Sequence, residues 1–484
     1  MIWIQALWGL GLAVLMGFTF RRVRRWERGG QSDLPSAEKH GKETYVFVLP
    51  TTMFWSLLLI LCVLLLLRGV RDGLLNFAGL AGEVLLTLSF YFLLLLALLP
   101  LLRRYISARA CALLWLVPVF LFWQAHVLIR ALPTPRWTVY VPRRVLPIVG
   151  AVWLAGFLAV GEYYLITHLL FCARVRRSAV PERDEAVLAL WEQERDTLDY
   201  RRPVALLRSA VAAPFSMGQT KRGRCTVLPE RDYAQEELTM IFRHELHHLQ
   251  RCDVNSKVFF CMCNAVCWFN PLVWLATRKA AEDLERSCDE IVTEDMDEAA
   301  RKRYAKLLLD AAAPARGCTT CLSAAAGTLR YRLKGVIAPQ RRRPGTAMLM
   351  AAVFICAISY GTVAFTDARG SFTELLLPED MPIIRVYRIG EGGTITYVRD
   401  LKWDEAALRA ALDGVEIEHV AGLRTGVLKS EGIELVLPGS GMRLAALTRG
   451  GVTVIDTRRV SVADCYVVRS AVDWDAIEAA LKLE

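Results

Sequence analysis

The sequence predicts an α-helical protein that crosses a membrane several times, with a soluble helical segment before the last crossing and a small α+β module after it. Three observations carry this. Apolar residues make up 54% of the 484, and they gather in blocks such as 54–67 and 84–102 that hold no charge. Arginines crowd at the block edges. Beyond residue 365 the composition changes: 366–484 holds 14 basic and 19 acidic residues, so the chain's net +10 divides into +15 before that point and −5 after it. This distribution excludes a disordered polyelectrolyte, a disulfide-stapled secreted domain and a fibrous repeat.

A helix crosses about 30 Å of hydrocarbon with about 20 apolar residues, at about 1.5 Å per residue. Six stretches qualify: 2–20, 45–67, 81–102, 111–132, 147–171 and 346–365. The first has no positive charge ahead of its apolar run, so it reads as a retained anchor. In the fourth, Gln124, His126 and Arg130 interrupt the apolar face, which leaves a count of four or five spans open. Orientation follows from the lysine and arginine bias of the short connections. Arg21, Arg22, Arg24, Arg25 and Arg28 follow the first span, and Arg103, Arg104 and Arg109 the third. Arg174, Arg176 and Arg177 follow the fifth, and Arg341, Arg342 and Arg343 precede the sixth. These connections are assigned to the cytoplasm. Arg136, Arg143 and Arg144 run against the pattern, on a connection that alternation puts outside. The expected organisation is a membrane region over 1–172, a cytoplasmic domain over 173–345, a last span over 346–365 and an extracytoplasmic α+β domain over 366–484.

Of 13 cysteines only Cys465 lies in that outer module, so no disulfide can form within it. The pairs Cys261 with Cys263 and Cys318 with Cys321 have no second pair at zinc-ribbon spacing and read as packing residues. In the cytoplasmic segment, 181–200 has apolar positions at helical spacing behind a proline and acids. A short helix is expected over 203–211, and a strand over 224–228 that closes a hairpin punctuated by Pro214, Gly218 and Gly223. A long helix follows from about Asp232, with Leu238, Ile241, Phe242, Leu246 and Leu249 as its apolar stripe. In the outer module strands are expected near 383–387, 394–398, 432–437 and 452–455, with helices over 403–412 and 473–481.

The long helix contains His244, Glu245, Leu246, His247 and His248, an H-E-x-x-H pattern holding three of the chain's seven histidines. Residues four apart lie one turn above each other, so His244 and His248 can both reach one zinc ion. Glu245 then projects beside the metal, placed to take a proton from a water that zinc activates. A catalytic zinc has three protein ligands and an open position. Glu285 in LERSCDE is the candidate third ligand. Asp289, one turn further on, and Asp253 are candidates for holding the second nitrogen of a zinc-bound imidazole. His247 points about a quarter-turn away and reads as a surface or supporting residue. Between the ligand helices, 258–276 is long enough to span. Crossing would strand Glu285 on the far side from His244, so a hairpin that folds back at the bilayer surface is expected.

APFSMG with TVLP, then IFRHELHHLQRCD, CWFNPLVW and ERSCDE, taken in that order, resemble the bacterial BlaR/MecR-type antirepressor zinc metallopeptidases, membrane signal transducers. The resemblance runs from about Arg177 to the sixth span. It implies zinc as cofactor, His244, His248 and Glu285 as its ligands and Glu245 as general base and acid. It also implies a gluzincin-like fold in which an edge strand, here Cys225, Thr226 and Val227, pairs with the substrate backbone. Location in a bacterial cytoplasmic membrane, a transcriptional repressor as protein substrate, and self-cleavage within 315–340 follow as further expectations. The family's β-lactam sensors carry an outer S-x-x-K nucleophile. None of Ser371, Ser430, Ser440, Ser461 or Ser470 is followed by lysine three residues on, so β-lactam sensing is not expected here.

Two other readings compete: a quality-control membrane protease of the heat-shock type, and a catalytically silent receptor scaffold. Partners expected are the protein substrate and the lipid bilayer, with a homodimer left open. Direct nucleic-acid binding is not expected, because the excess positive charge flanks membrane spans, where cytoplasmic retention and anionic lipid account for it.

Overall fold

The computed structural model describes residues 2–27, 50–122, 137–217, 223–311, 326–338, 342–358, 361–390, 395–396, 403–421, 431–438, 442–449, 451–456 and 463–481. Helix α1 (Ile2–Glu27) is followed by α2 (Pro50–Tyr105), which is broken at Gly69. There φ is +75°, a left-handed value that glycine adopts without steric cost, so the expected second and third spans are two helices joined by a kink. Among the described residues two helices are long and apolar enough to cross a membrane, Gly73–Tyr105 and Arg143–Ser178. Leu57–Leu67, Ala108–Val119 and Thr346–Cys356 are apolar but shorter.

Two of the expected spans are corrected. The fourth does not continue as one helix: α3 (Ala108–Leu114) ends in a turn at Trp115 and Leu116 and passes into a 3-10 helix over Val117–Phe122. All of α3 is buried, and residues 123–132 lie outside the described residues. The sixth gives way to a strand: its helix, Thr346–Ile358 (α11), is 13 residues, and from Gly361 the chain is extended. A 13-residue helix covers only about 20 Å. Short apolar runs do not separate strand from helix by period, and Val363–Phe365 is such a run.

After the 3-10 helix come β1 (Trp137–Pro142), α4 (Leu146–Ser178), β2 (Val180–Pro181), α5 (Glu185–Thr197), β3 (Ala205–Ser209), β4 (Phe215–Met217) and β5 (Cys225–Pro229). Then α6 (Gln235–Gln250), α7 (Asp253–Val266), α8 (Pro271–Val292), α9 (Glu298–Asp310) and α10 (Ala326–Ile337) lead to α11. Strands β2 to β5 form a sheet in the order β2-β3-β5-β4, with β3 and β5 parallel. The helix expected over 203–211 is therefore wrong: Leu206 and Ser209 are buried and β3 pairs with both β2 and β5. The amphipathic helix of 181–200 is α5, and Pro181 lies in β2 instead.

The last part runs β6 (Gly361–Ser371), α12 (Phe372–Leu376), β7 (Arg385–Ile389), β8 (Ile395–Thr396), α13 (Glu405–Asp413), β9 (Glu416–Ala421), β10 (Gly432–Pro438), β11 (Met442–Thr448), β12 (Gly451–Asp456), β13 (Ala463–Val468) and α14 (Trp474–Ala480). These strands and β1 form one nine-stranded sheet, β1-β6-β9-β13-β12-β11-β10-β7-β8, antiparallel except where β1 joins β6 in parallel. Its core gathers Phe372, Leu408, Leu412, Leu435, Leu447 and Ile477.

Residue 366 is thus not where the sheet begins, because Trp137–Pro142, from the connection before the fifth expected span, is one of its strands. Leu75 of α2 packs with Val363 and Phe365 of β6, beside Val141 and Leu146. Segments that alternation of the expected spans puts on one side meet there. Arg143, one of the arginines that ran against the charge bias, pairs with Asp367 at 3.0 Å. Its charge has a local protein partner. The opposite end of α2 meets the segment that holds α6 to α10: Ser107 N–H donates to the Arg343 carbonyl at 2.9 Å, and one apolar cluster joins Leu88 and Phe92 of α2 with Cys263 of α7 and Val273, Ala280 and Leu284 of α8.

Candidate metal centre

Helix α6 begins where Glu237 accepts from the Ala234 N–H at 3.0 Å, half of a capping box at the positive helix end. Its apolar stripe packs on α5 and β5, with Trp191 edge-on to Phe242 at 4.9 Å. That packing fixes the roll of α6 and leaves the histidines on another face. The chain turns at Cys252, in left-handed backbone, and α7 leads to the tight connection at Asn270-Pro271. The Asn270 side chain accepts from Leu272 N–H at 3.0 Å and Pro271 starts α8, the N-cap and first-position pairing that helix ends favour. The segment between the ligand helices is therefore a helical hairpin that folds back, as its sequence implied. It lies along α4: the Trp153 indole donates to the Val266 carbonyl at 2.9 Å, and the Trp268 indole to the Trp153 carbonyl at 3.1 Å. A Cβ at Gly156 would sit 2.1 Å from the Trp268 ring, so only glycine admits this approach.

The fold brings the three expected ligands together. His244 Nε2 and His248 Nε2 are 3.1 Å apart, and Glu285 Oε2 lies 3.7 Å from the first and 3.6 Å from the second. Metal–ligand bonds of about 2.0–2.1 Å in tetrahedral geometry put neighbouring donors about 3.3 Å apart, so the donor set fits zinc. No metal is needed to explain the outer nitrogens, because each has a partner. Asp253 Oδ2 accepts from His248 Nδ1 at 2.7 Å. At His244 the arrangement differs from expectation. The Tyr304 hydroxyl donates to Asp289 Oδ1 at 2.8 Å and lies 2.9 Å from His244 Nδ1, whose N–H it accepts. Asp289 itself is 3.5 Å from that nitrogen and acts through the tyrosine.

Two more residues hold the carboxylates. Arg332 of α10 makes a bidentate pair with Asp289, both contacts 2.7 Å, and approaches Glu285 Oε2 at 3.3 Å. Lys257 of α7 takes the other Glu285 oxygen at 3.0 Å. Helix α8 is pinned two residues before Glu285 by Asp283, fully buried, which accepts from Arg103 (2.9 Å), the Trp115 indole (2.8 Å) and the Tyr331 hydroxyl (2.8 Å). The Arg103 and Arg286 guanidiniums both lie over the Tyr331 ring, at 4.0 and 4.2 Å from its centroid. Tyr304, Arg332 and Lys257 were missed in the sequence because they come from other helices and follow no spacing rule.

Other expectations change. His247 is not on the surface: it is buried, with Nδ1 3.2 Å from Gln250 Oε1, and burial with Arg251 nearby lowers its pKa to about 3. Cys225, Thr226 and Val227 are not an edge. Strand β5 lies between β3 and β4 with both sides paired, and among the described residues the edges of this sheet are β2 and β4. Of the stretch 315–340, residues 326–337 form α10, packed on α8 and α9; 315–325 and 339–340 lie outside the described residues. Glu245 is buried on α6 beside the ligands.

The charged groups of the cluster act on one another. Burial works against the His244 imidazolium, but Cys288 and Glu285 outweigh it and raise its pKa to about 9. Burial would raise Asp253, yet Arg251 and His248 hold it down at about 2. Glu285 is likewise lowered against burial, by Lys257 and His248.

A helical metal centre built from H-E-x-x-H and a downstream glutamate belongs to a metallopeptidase. A family model described as BlaR1 peptidase M56 matches residues 124–336. The regulatory protein BlaR1 of Bacillus licheniformis is 26% identical over 162 residues, 33% of this chain and 26% of that protein. Over that stretch the chain is similar to the BlaR/MecR-type metallopeptidases, and the match spans about a quarter of the length of that curated relative.

Proposed function

We propose that the chain is a multi-pass membrane zinc endopeptidase whose site faces the cytoplasm of a bacterium and that it cleaves a protein substrate, a transcriptional repressor and itself, in transmembrane signalling. The observation that carries this reading is the set of three donor atoms 3.1–3.7 Å apart with both outer imidazole nitrogens held. Bound zinc would polarise a substrate carbonyl and acidify a water. His244, His248 and Glu285 would hold the ion, Asp253 and Tyr304 keep the imidazoles in the tautomer that leaves Nε2 free, and Glu245 would serve as the base that takes up a proton and passes it to the leaving amine. The outer edge of β4 takes the substrate backbone as an added strand. The cytoplasmic orientation is supported by the meeting of β1, β6 and the α2 kink at one end of the helices and of Arg103, Ser107 and Arg343 with the peptidase at the other.

Glu245→Ala tests the chemistry: the variant should retain about one zinc and lose proteolysis, and retained cleavage would sink the assigned mechanism. Comparison of cellular proteomes from wild type and this variant should show a soluble repressor cleaved only in the first. Broad loss of damaged membrane proteins instead would point to quality control.

A further inference from the structure

We propose that Cys288 is a fourth protein ligand of the metal, so that the resting centre is a closed His244, His248, Glu285 and Cys288 set without an open position. This rests on the zinc peptidase reading above and adds its resting state. On α8, Glu285 and Cys288 are three residues apart and share a face. The thiol is fully buried and points at α6: its sulfur is 3.3 Å from the His244 carbonyl oxygen and within 4.8 Å of a ring nitrogen of both histidines. Bonds of about 2.3 Å to sulfur and about 2.0–2.1 Å to nitrogen put those atoms about 3.5 Å apart. The thiol thus lies within reach of the ligand set.

The surroundings of this cysteine set it apart. Cys111, Cys263 and Cys267 are buried in the apolar cluster between α2, α7 and α8, and Cys225 in that between α4 and β4. Cys288 is buried against ligands. The charge count also calls for it. Lys257 and Arg332 both sit on Glu285 and draw on the negative charge it offers a divalent ion, and a thiolate would restore one. The exchange balances simply. On ligation the thiol loses its proton to solvent; when water takes the position, the sulfur is reprotonated and its S–H returns to the His244 carbonyl. Structural zinc sites are closed with four protein ligands and catalytic ones keep a position open. The same centre therefore passes between a latent and a working form through one side chain.

X-ray absorption at the zinc edge of the full-length, zinc-loaded protein decides the matter. One sulfur at about 2.3 Å beside nitrogen and oxygen at about 2.0–2.1 Å is expected. Cobalt-substituted protein should show a thiolate-to-cobalt charge-transfer band. Cys288→Ser should keep one zinc per chain, lose both signatures and raise resting peptidase turnover several-fold. A wild-type centre with nitrogen and oxygen ligands only would overturn the proposal and leave the zinc peptidase reading standing. Wild-type protein that takes up no zinc would overturn both. The wild-type spectrum suffices if Cys288→Ser does not fold.

Discussion

The peptidase centre and the nine-stranded sheet are held together in opposite ways. Around the centre, charges are buried and shared: Arg332 with Asp289, Arg103 with Asp283, Asp253 with His248, each acid almost without solvent exposure. In the sheet the interior is apolar, and pairs such as Arg388 with Glu478 are about half exposed on both sides. Buried pairs contribute little net stability compared with apolar packing, but removing one partner is costly. The contrast teaches that the centre is built for fixed geometry and the sheet for cohesion.

Substitutions in both regions sharpen or break that contrast. The largest effect is expected from Asp289→Ala, which leaves Arg332 buried without its bidentate partner and Tyr304 without its acceptor. A loss of about 3–5 kcal/mol is expected, read as a lowered unfolding midpoint together with lost zinc. Unchanged stability would mean that the centre is not held by its charges. Leu435→Ala in the sheet core should cost about 3–4 kcal/mol while zinc stoichiometry stays the same; zinc loss would show that the two regions fold as one. Asp253→Asn should weaken zinc binding about 10- to 100-fold by competition titration with little effect on the sheet.

The same aspartate sets a pH limit. Its folded pKa of about 2 lies below the ordinary 3.8, so its contribution is complete above that ordinary value and disappears as pH falls towards 2. Acid titration of unfolding should show this loss in wild type and a smaller one in Asp253→Asn. The smallest effect belongs to Arg388→Ala, below about 1 kcal/mol; a larger change would make the sheet's surface pairs structural after all.

Much of the centre was legible because helix periodicity alone aligns His244 with His248, and because a hairpin was the only path that returned Glu285 to them. Asp253 was legible for a related reason, lying just past the end of the same helix. Tyr304 and Arg332 were not. They reach the ligands from α9 and α10, and nothing local in their segments distinguishes an inward tyrosine or arginine from an outward one. In the fold, α5, α6, β7, β10 and β12 follow their apolar patterns. Strand β3 was misread because VALLRSAV fits a helix face as well as a strand, and its parallel pairing with β5 decides the matter. The pairing of β1 with β6 joins Trp137 to Gly361, a distance in sequence over which no pattern speaks.

Helix α4 is 33 residues without a break, a rod of about 50 Å. One end is tied to the sheet through β1 and Arg143, and at the other Phe171 packs on Phe215 of β4 at 5.3 Å. Each residue added to such a rod turns one end against the other by about 100° and lengthens it by about 1.5 Å. Its length is therefore not free to drift, and a chimera that grafts a foreign C-terminal module onto this peptidase has to keep β1 and α4 as one inherited piece, with the junctions placed in the turns of the sheet.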